Sequence, residues 1–174
     1  MPQVYISLGS NIDPQENIRR GVEALCRYLR VTGISTVYRT AAIGRAEQAD
    51  FYNAVAAGET EIPARELKFS VLRKIEAELG RVRGQDKSAA RTVDLDLAIY
   101  GDLVIDEPDL KIPDPDIYSR GFLAAGLAEL APQLVLPESH IPIRELALRI
   151  GGREMEALGA YTESIRCYIR SRHL

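Results

Sequence analysis

The stretch AARTVDLDLAIYG, residues 89 to 101, decides the fold and carries the first chemical signal. Val93, Leu95, Leu97 and Ile99 alternate with Asp94, Asp96 and Ala98, which is the period of two of a strand with one apolar face. Successive side chains on a strand point to opposite faces. The four apolar residues are therefore expected to pack on a core while Asp94 and Asp96 share the other face, about 7 Å apart at Cβ. Like charges at that distance repel and raise a carboxyl pKa. Solvation on an open sheet face would relieve the repulsion, and so would a bound divalent cation. The D-x-D pattern alone leaves both open.

Immediately upstream, RVRGQDKSAART (81–92) gathers Arg81, Arg83, Lys87 and Arg91 among glycine and small residues. A charged run is usually a solvated surface. This one leads straight into a strand with two acids, so anion-binding and cation-binding groups would converge. Before the loop, Pro63 opens a helix whose buried stripe is Leu67, Val71, Leu72, Ile75 and Leu79, and Gly80 is placed to end it.

The N-terminal half supplies the partners. QVYISLG (3–9) alternates as a strand with Val4, Ile6 and Leu8 on one face, and SLGSN (7–11) follows as a turn without the lysine or spacing of a P-loop. Asp13, Pro14 and Glu16 read as an N-cap, first-turn proline and capping acid for a helix over 14–30. A strand is expected at 33–39, a loop at 40–50 and a strand at 51–60, with Phe51, Asn53 and Val55 on one face. Downstream, 106–118 reads as an acidic, proline-rich ordered loop. Ser119 could cap a helix over 120–130, and a last helix covers 142–150. In the tail, SIRCYIR (164–170) alternates like an edge strand; a dimer contact or a frayed end are the other readings.

The resulting order, β-α-β-β-α-β, fits an α+β ferredoxin-like sandwich, with two helices on one face of an antiparallel sheet and the other face free to build a site. Residues 106–150 are expected to wrap one edge. At 174 residues the chain reads as a single domain, 1–174, with 151–174 as a C-terminal extension. A net charge of −3 gives no case for nucleic acid or an anionic membrane. Neither a signal-peptide start nor a membrane span is visible, so the cytoplasm is the expected location. Cys26 and Cys167 have no disulfide or metal-ligand spacing and read as reduced thiols. A monomer or at most a weak homodimer is expected.

Two carboxylates without nearby His or Cys favour a hard cation, Mg²⁺ or Mn²⁺, commonly held by one or two carboxylates plus substrate phosphates. Arginines beside them would stabilise charge on transferring phosphoryl oxygens. No Ser-His-Asp or Cys-His set is visible, so direct transfer from a nucleotide is the natural chemistry. A non-catalytic ferredoxin-like binding module and a metal-dependent phosphotransferase with another acceptor are the alternatives.

These residues resemble the hydroxymethyl-dihydropterin pyrophosphokinases of folate biosynthesis. The hallmark, a basic residue, a small pair and then R-x-x-D-L-D, stands as Lys87, Ala89, Ala90, Arg91, Asp94, Leu95 and Asp96. YISLGSN (5–11), VYRT (37–40), FYNA (51–54), IEAELGRVR (75–83) and SRGF (119–122) follow in the family's order, over roughly residues 3 to 150. The resemblance implies pyrophosphate transfer from ATP to the pterin hydroxymethyl group, leaving AMP. It implies two Mg²⁺ ions at Asp94 and Asp96, and Arg81 and Arg91 on the phosphates. Glu76 and Arg83 would lie at the nucleotide. Asn53 would hydrogen-bond the pterin edge, assisted by the backbone from Thr40 through Ala42 to Ile43, and Phe51 and Phe122 would sandwich its ring. Ser88 stands where the family commonly has tryptophan, and Asp114 where it usually has histidine.

Overall fold

The computed structural model describes residues 1–152 and 154–174. A six-stranded antiparallel sheet forms its centre. It contains β1 (Gln3–Ser10), β2 (Arg30–Ile34), β3 (Tyr38–Thr40), β4 (Phe51–Glu59) and β5 (Asp94–Tyr100). The sixth strand, β8 (Glu156–Ala157), comes from the tail. The order is β5-β1-β4-β3-β8, with β2 pairing the other end of β4. The single strand expected at 33–39 is thus two short strands laid end to end along β4.

Helix α1 (Pro14–Leu25) packs on one face. Beside it runs a continuous helix: α2 (Ala64–Glu66), a π-helical turn over Leu67–Leu72, and α3 (Arg73–Glu78). The predicted stripe Leu67, Val71, Leu72, Ile75 and Leu79 is buried against Val4, Ile6, Leu8, Leu95 and Leu97. Gly80 ends the helix in the left-handed region, at φ 83°, which glycine enters without Cβ strain. Helix α1 stops at Leu25, earlier than expected, and Asp13 makes no side-chain cap. Instead Asn17 Nδ2 donates to the Ile12 carbonyl at 2.6 Å.

The other face carries a second core, which corrects the expected edge wrap. After the short hairpin β6 (Ile105–Asp106) and β7 (Lys111–Ile112), the chain makes a 3₁₀ turn at Pro115–Tyr118. It then crosses this face as α4 (Gly121–Leu130) and α5 (Ile143–Ile150). Leu123, Leu127, Ile143 and Leu146 pack on Tyr5, Val55 and Ala57. At Gly126 an added Cβ would lie 2.6 Å from Val55 Cγ2, so α4 sits against β4 only because that side chain is missing.

The aspartate strand departs from strict alternation. Tyr5 pairs with Ile99 and Ile6 with Leu97, a β-bulge that leaves Ala98 as an extra residue. Ile99 therefore joins Tyr5 and Ala98 in the second core rather than following Leu97 into the first.

The tail is not an edge strand over 164–170. It forms α6 (Gly159–Ser171) after β8 pairs with β3. Ile165 and Ile169 enter the first core, and Thr162 Oγ1 accepts the Val37 N–H at 2.9 Å. A helix needs its apolar residues on one side, and Ile165 and Ile169 are four apart. The alternation of 165, 167 and 169 also satisfied a strand. Residue 153 of the extension lies outside the described residues. No helix among the described residues is long and apolar enough to cross a membrane. Cys26 and Cys167 are free thiols.

Candidate functional site

The second face is covered only in part. Beyond the N-terminus of α4, the ends of β1, β4 and β5 floor an open cavity of about 360 Å³. Register determines what the floor presents. Gly9 pairs with Asp94 on one side and with Asn53 on the other. The row Asp94, Gly9, Asn53 spans two inter-strand steps, about 10 Å, with no side chain at its centre. SLGS thus lies inside β1 rather than in a turn, and Gly9 clears the floor. A Cβ there would meet Asn53 Oδ1 at 2.9 Å.

Phe51 from β4 and Phe122 from the start of α4 both line this cavity, as do Ala42, Ile43, Asn53, Asp94 and Asp96. Two aromatic faces on a polar floor suit a flat heteroaromatic guest. Asn53 is nearly buried, and its Nδ2 donates to Thr40 Oγ1 at 2.6 Å. Thr40 therefore stands behind Asn53 rather than on the cavity wall. Arg120 stacks over Phe122, 5.5 Å from its ring centroid, and also lines the cavity.

A second cavity, of about 290 Å³, opens on the other side of the same aspartates. Arg81, Arg83, Lys87 and Arg91 line it with Asp94 and Asp96. The two spaces share Lys87, Ala89, Arg91, Asp94 and Asp96. The carboxylates are thus the seam between an aromatic chamber and a basic one.

The electrostatics of the two acids differ. Asp94 is held by both Arg81 and Arg91. Asp96 has no such partner among the described residues. Burial raises its pKa to about 7, with further upward contributions from Asp94 and Asp114 and a downward one from Lys68. A half-buried carboxylate without an ion-pair partner among the described residues, beside a second carboxylate, is a donor set that a hard divalent cation fits. No third His, Cys, Asp or Glu among the described residues completes a cage. Such an ion would draw its remaining ligands from substrate and water, as magnesium commonly does.

Glu76 lines neither cavity. It is 1% exposed, and its Oε1 accepts from Arg81 at 2.6 Å and from the Leu95 backbone N–H at 2.8 Å. Its other oxygen binds Arg83. Burial raises its pKa, while the Leu95 N–H and the two arginines pull it down. Its role in this geometry is to aim the arginines from beneath. Asp114 caps the 3₁₀ turn by accepting the Asp116 N–H at 2.9 Å, and burial raises its pKa. Ser7, Gly9, Gln48 and Asp116 also line the aromatic chamber. Ser7 and Gly9 belong to the SLGSN stretch, read from the sequence as an ordinary turn, whereas nothing in the sequence pattern marked Gln48 or Asp116, which are placed by loop crossings.

The chain matches the family model described as 7,8-dihydro-6-hydroxymethylpterin-pyrophosphokinase over residues 5–132. A Pseudomonas aeruginosa protein named 2-amino-4-hydroxy-6-hydroxymethyldihydropteridine pyrophosphokinase is 38% identical over 144 residues, 80% of this chain and 88% of its own. A Haemophilus influenzae protein of the same name is 37% identical over 158 residues, 89% of this chain and 97% of its own. Among solved structures, Plasmodium falciparum HPPK-DHPS with pteroate superposes with a TM-score of 0.71 at 12% identity. That match covers 90% of this chain and 47% of the longer one, a likeness of fold.

Proposed function

The chain belongs to the 7,8-dihydro-6-hydroxymethylpterin-pyrophosphokinase family, and on that premise we propose that it transfers pyrophosphate from ATP to the hydroxymethyl group of 6-hydroxymethyl-7,8-dihydropterin. AMP is the second product, and the reaction serves folate biosynthesis. The observation that carries this reading is the pair of unlike chambers meeting at Asp94 and Asp96.

In this reading the pterin lies between Phe51 and Phe122, with its polar edge toward Asn53 and the backbone of Ala42 and Ile43. The triphosphate occupies the basic chamber, against Arg81, Arg83, Lys87 and Arg91. The acceptor hydroxyl then reaches the seam from one side and the β-phosphorus from the other. Asp94 and Asp96 would hold up to two Mg²⁺ ions, which when bound supply charge neutralisation on the phosphate oxygens. Arg81 and Arg91 already converge on Asp94 and would share their N–H donors with the transferring group. Positioning and electrostatics thus account for the catalysis, with no covalent enzyme intermediate. We also read the fold as ferredoxin-like. Support comes from the order β5-β1-β4 with β2 and β3 both paired along the far side of β4, and from α1 and α2–α3 on one face.

The experiment is incubation with ATP, Mg²⁺ and the hydroxymethyl-dihydropterin, with nucleotide products resolved by chromatography. Stoichiometric AMP supports the proposal. ADP would mean single phosphoryl transfer to another acceptor, and tight binding without turnover would mean a binding module.

A further inference from the structure

Phe122 lines the aromatic chamber, and it also lines a larger cavity of about 690 Å³ between the start of α4 and the end of α5. The two spaces share Ala41, Ile43, Arg120 and Phe122. Open space behind a ring offers no dispersion contacts to hold it, so whatever stands in that space decides where the ring sits. The chain after α5 supplies part of this wall, through Gly151, Gly152 and Met155.

Met155 packs on the second core, the cluster that contains Phe122. Gly121, the residue before Phe122, meets the tail directly. A Cβ there would lie 2.7 Å from the Gly151 carbonyl oxygen and 3.4 Å from Met155 Sδ, so the start of α4 fits against the tail only as glycine. The residues that follow Met155 reach the other aromatic wall. Glu156 and Ala157 pair with Arg39 and Tyr38, and β3 in turn pairs Tyr38 with Asn53 and Thr40 with Phe51. One short stretch of the tail thus abuts both walls, Phe122 through Gly121 and Phe51 through β3. It lies beyond residues 5–132, the part of the chain that the family model matches.

We propose that Met155 is a positioning residue that acts through Gly121 to hold Phe122 at the distance from Phe51 that a pterin ring requires. The inference rests on the assignment of the pterin to the aromatic chamber. A ring stacked between two walls is sensitive to their separation, because a gap of about 0.5–1 Å forfeits about a quarter to a half of the dispersion attraction. Methionine suits the task, since an unbranched thioether fills an irregular space. The outer cavity shares no residue with the basic chamber, so nucleotide affinity serves as the internal control.

The test compares the full native chain with Met155→Ala, Met155→Leu and Gly121→Ala. Calorimetry measures α,β-methylene-ATP with Mg²⁺ on the free protein, and 6-hydroxymethylpterin on protein saturated with that analogue. Steady-state AMP formation gives the two KM values. In Met155→Ala the pterin dissociation constant and KM are expected to rise about tenfold, with the nucleotide values within about twofold of native. Met155→Leu nearly conserves volume and is expected to recover most of the loss. Gly121→Ala presses the start of α4 off the tail with Met155 in place, is expected to weaken pterin binding selectively, and carries the test if Met155→Ala fails to fold. Native pterin affinity in the alanine variants would overturn the inference. So would equal losses for pterin and nucleotide, the mark of general loosening, or a leucine variant no better than alanine. A native protein that forms no AMP sinks the functional reading. An AMP-forming protein whose variants bind pterin like the native chain sinks only the positioning role.

Discussion

The Glu76 carboxylate, on α3, accepts the backbone N–H of Leu95, on β5, at 2.8 Å, so the helix layer and the aspartate strand are joined directly beneath the site. The same oxygen holds Arg81, and the other holds Arg83. Glu76 is therefore a support for the arginines of the basic chamber as much as for the fold.

Glu76→Ala removes the partner of a buried strand N–H and of two guanidinium groups, and the expected loss of stability is about 2–4 kcal/mol. Urea denaturation measures it. Glu76→Gln keeps an acceptor for Leu95 and is expected to lose less stability, while its affinity for an ATP analogue falls as Arg81 and Arg83 lose their anchor. An alanine variant as stable as the native protein would refute this support role.

Asp96 makes the metal-free protein pH-sensitive. Its folded pKa, raised to about 7 by burial and by Asp94 and Asp114, lies above the ordinary carboxylate value. The native state therefore holds a proton that the unfolded chain has released. The stabilisation is complete below about pH 4 and is lost as pH rises through 7, with a slope of at most about 1.4 kcal/mol per unit. Thermal melts of native protein and Asp96→Asn, compared between pH 4.5 and 8 in chelator, isolate it. The variant is expected to lack this component, and Mg²⁺ is expected to raise the native melting temperature most at high pH. Asp94→Ala and Asp96→Ala are each expected to lower kcat/KM for pyrophosphate transfer by about 10³-fold or more. Near-native turnover in either would remove the metal assignment.

Gly9→Ala tests the empty centre of the floor. The new Cβ would press on Asn53 Oδ1 and face Phe51. KM for the pterin is expected to rise about tenfold, the equivalent of about 1.4 kcal/mol of binding, with KM for ATP little changed. Steady-state kinetics with each substrate varied in turn distinguish the two. Equal effects on both would place Gly9 in general packing.

Thr162→Val tests the tail. Thr162 is 1% exposed; its Oγ1 accepts the Val37 N–H and donates to the Leu158 carbonyl at 2.8 Å. Valine keeps the shape and leaves the Val37 N–H without a partner, at an expected cost of about 1–3 kcal/mol. Ile165→Ala, emptying part of the first core, is expected to cost about 2–5 kcal/mol. Urea midpoints that fall at constant m-value would confirm that α6 is integral to the domain.

Much of the fold was legible because it rests on local patterns. The stripe from Leu67 to Leu79, the alternation in β1 and β4 and the glycine stop at Gly80 each follow from side-chain periodicity or a backbone rule. The misses share a different cause. Ile99 changed layers through a bulge that depends on pairing with Tyr5 and Ile6. The tail pattern at Ile165, Cys167 and Ile169 was compatible with two periods, and burial in the first core selected the helix. Asp13 looked like a side-chain cap but makes no cap bond, and the first turn is tied instead by Asn17 donating back to the Ile12 carbonyl.

By itself the sequence determined the composition of the candidate site: two acids one strand-repeat apart, a basic loop before them, and the aromatic and amide at 51 and 53. Those are covalent spacings, and local geometry converts them into shared faces. Tertiary structure alone decided that Gly9 separates Asp94 from Asn53, that Glu76 lies under the arginines, and that Met155 abuts Gly121 at the start of α4. These relations cross strands and layers. They are set by register and by which apolar faces bury each other, and no spacing along the chain encodes them.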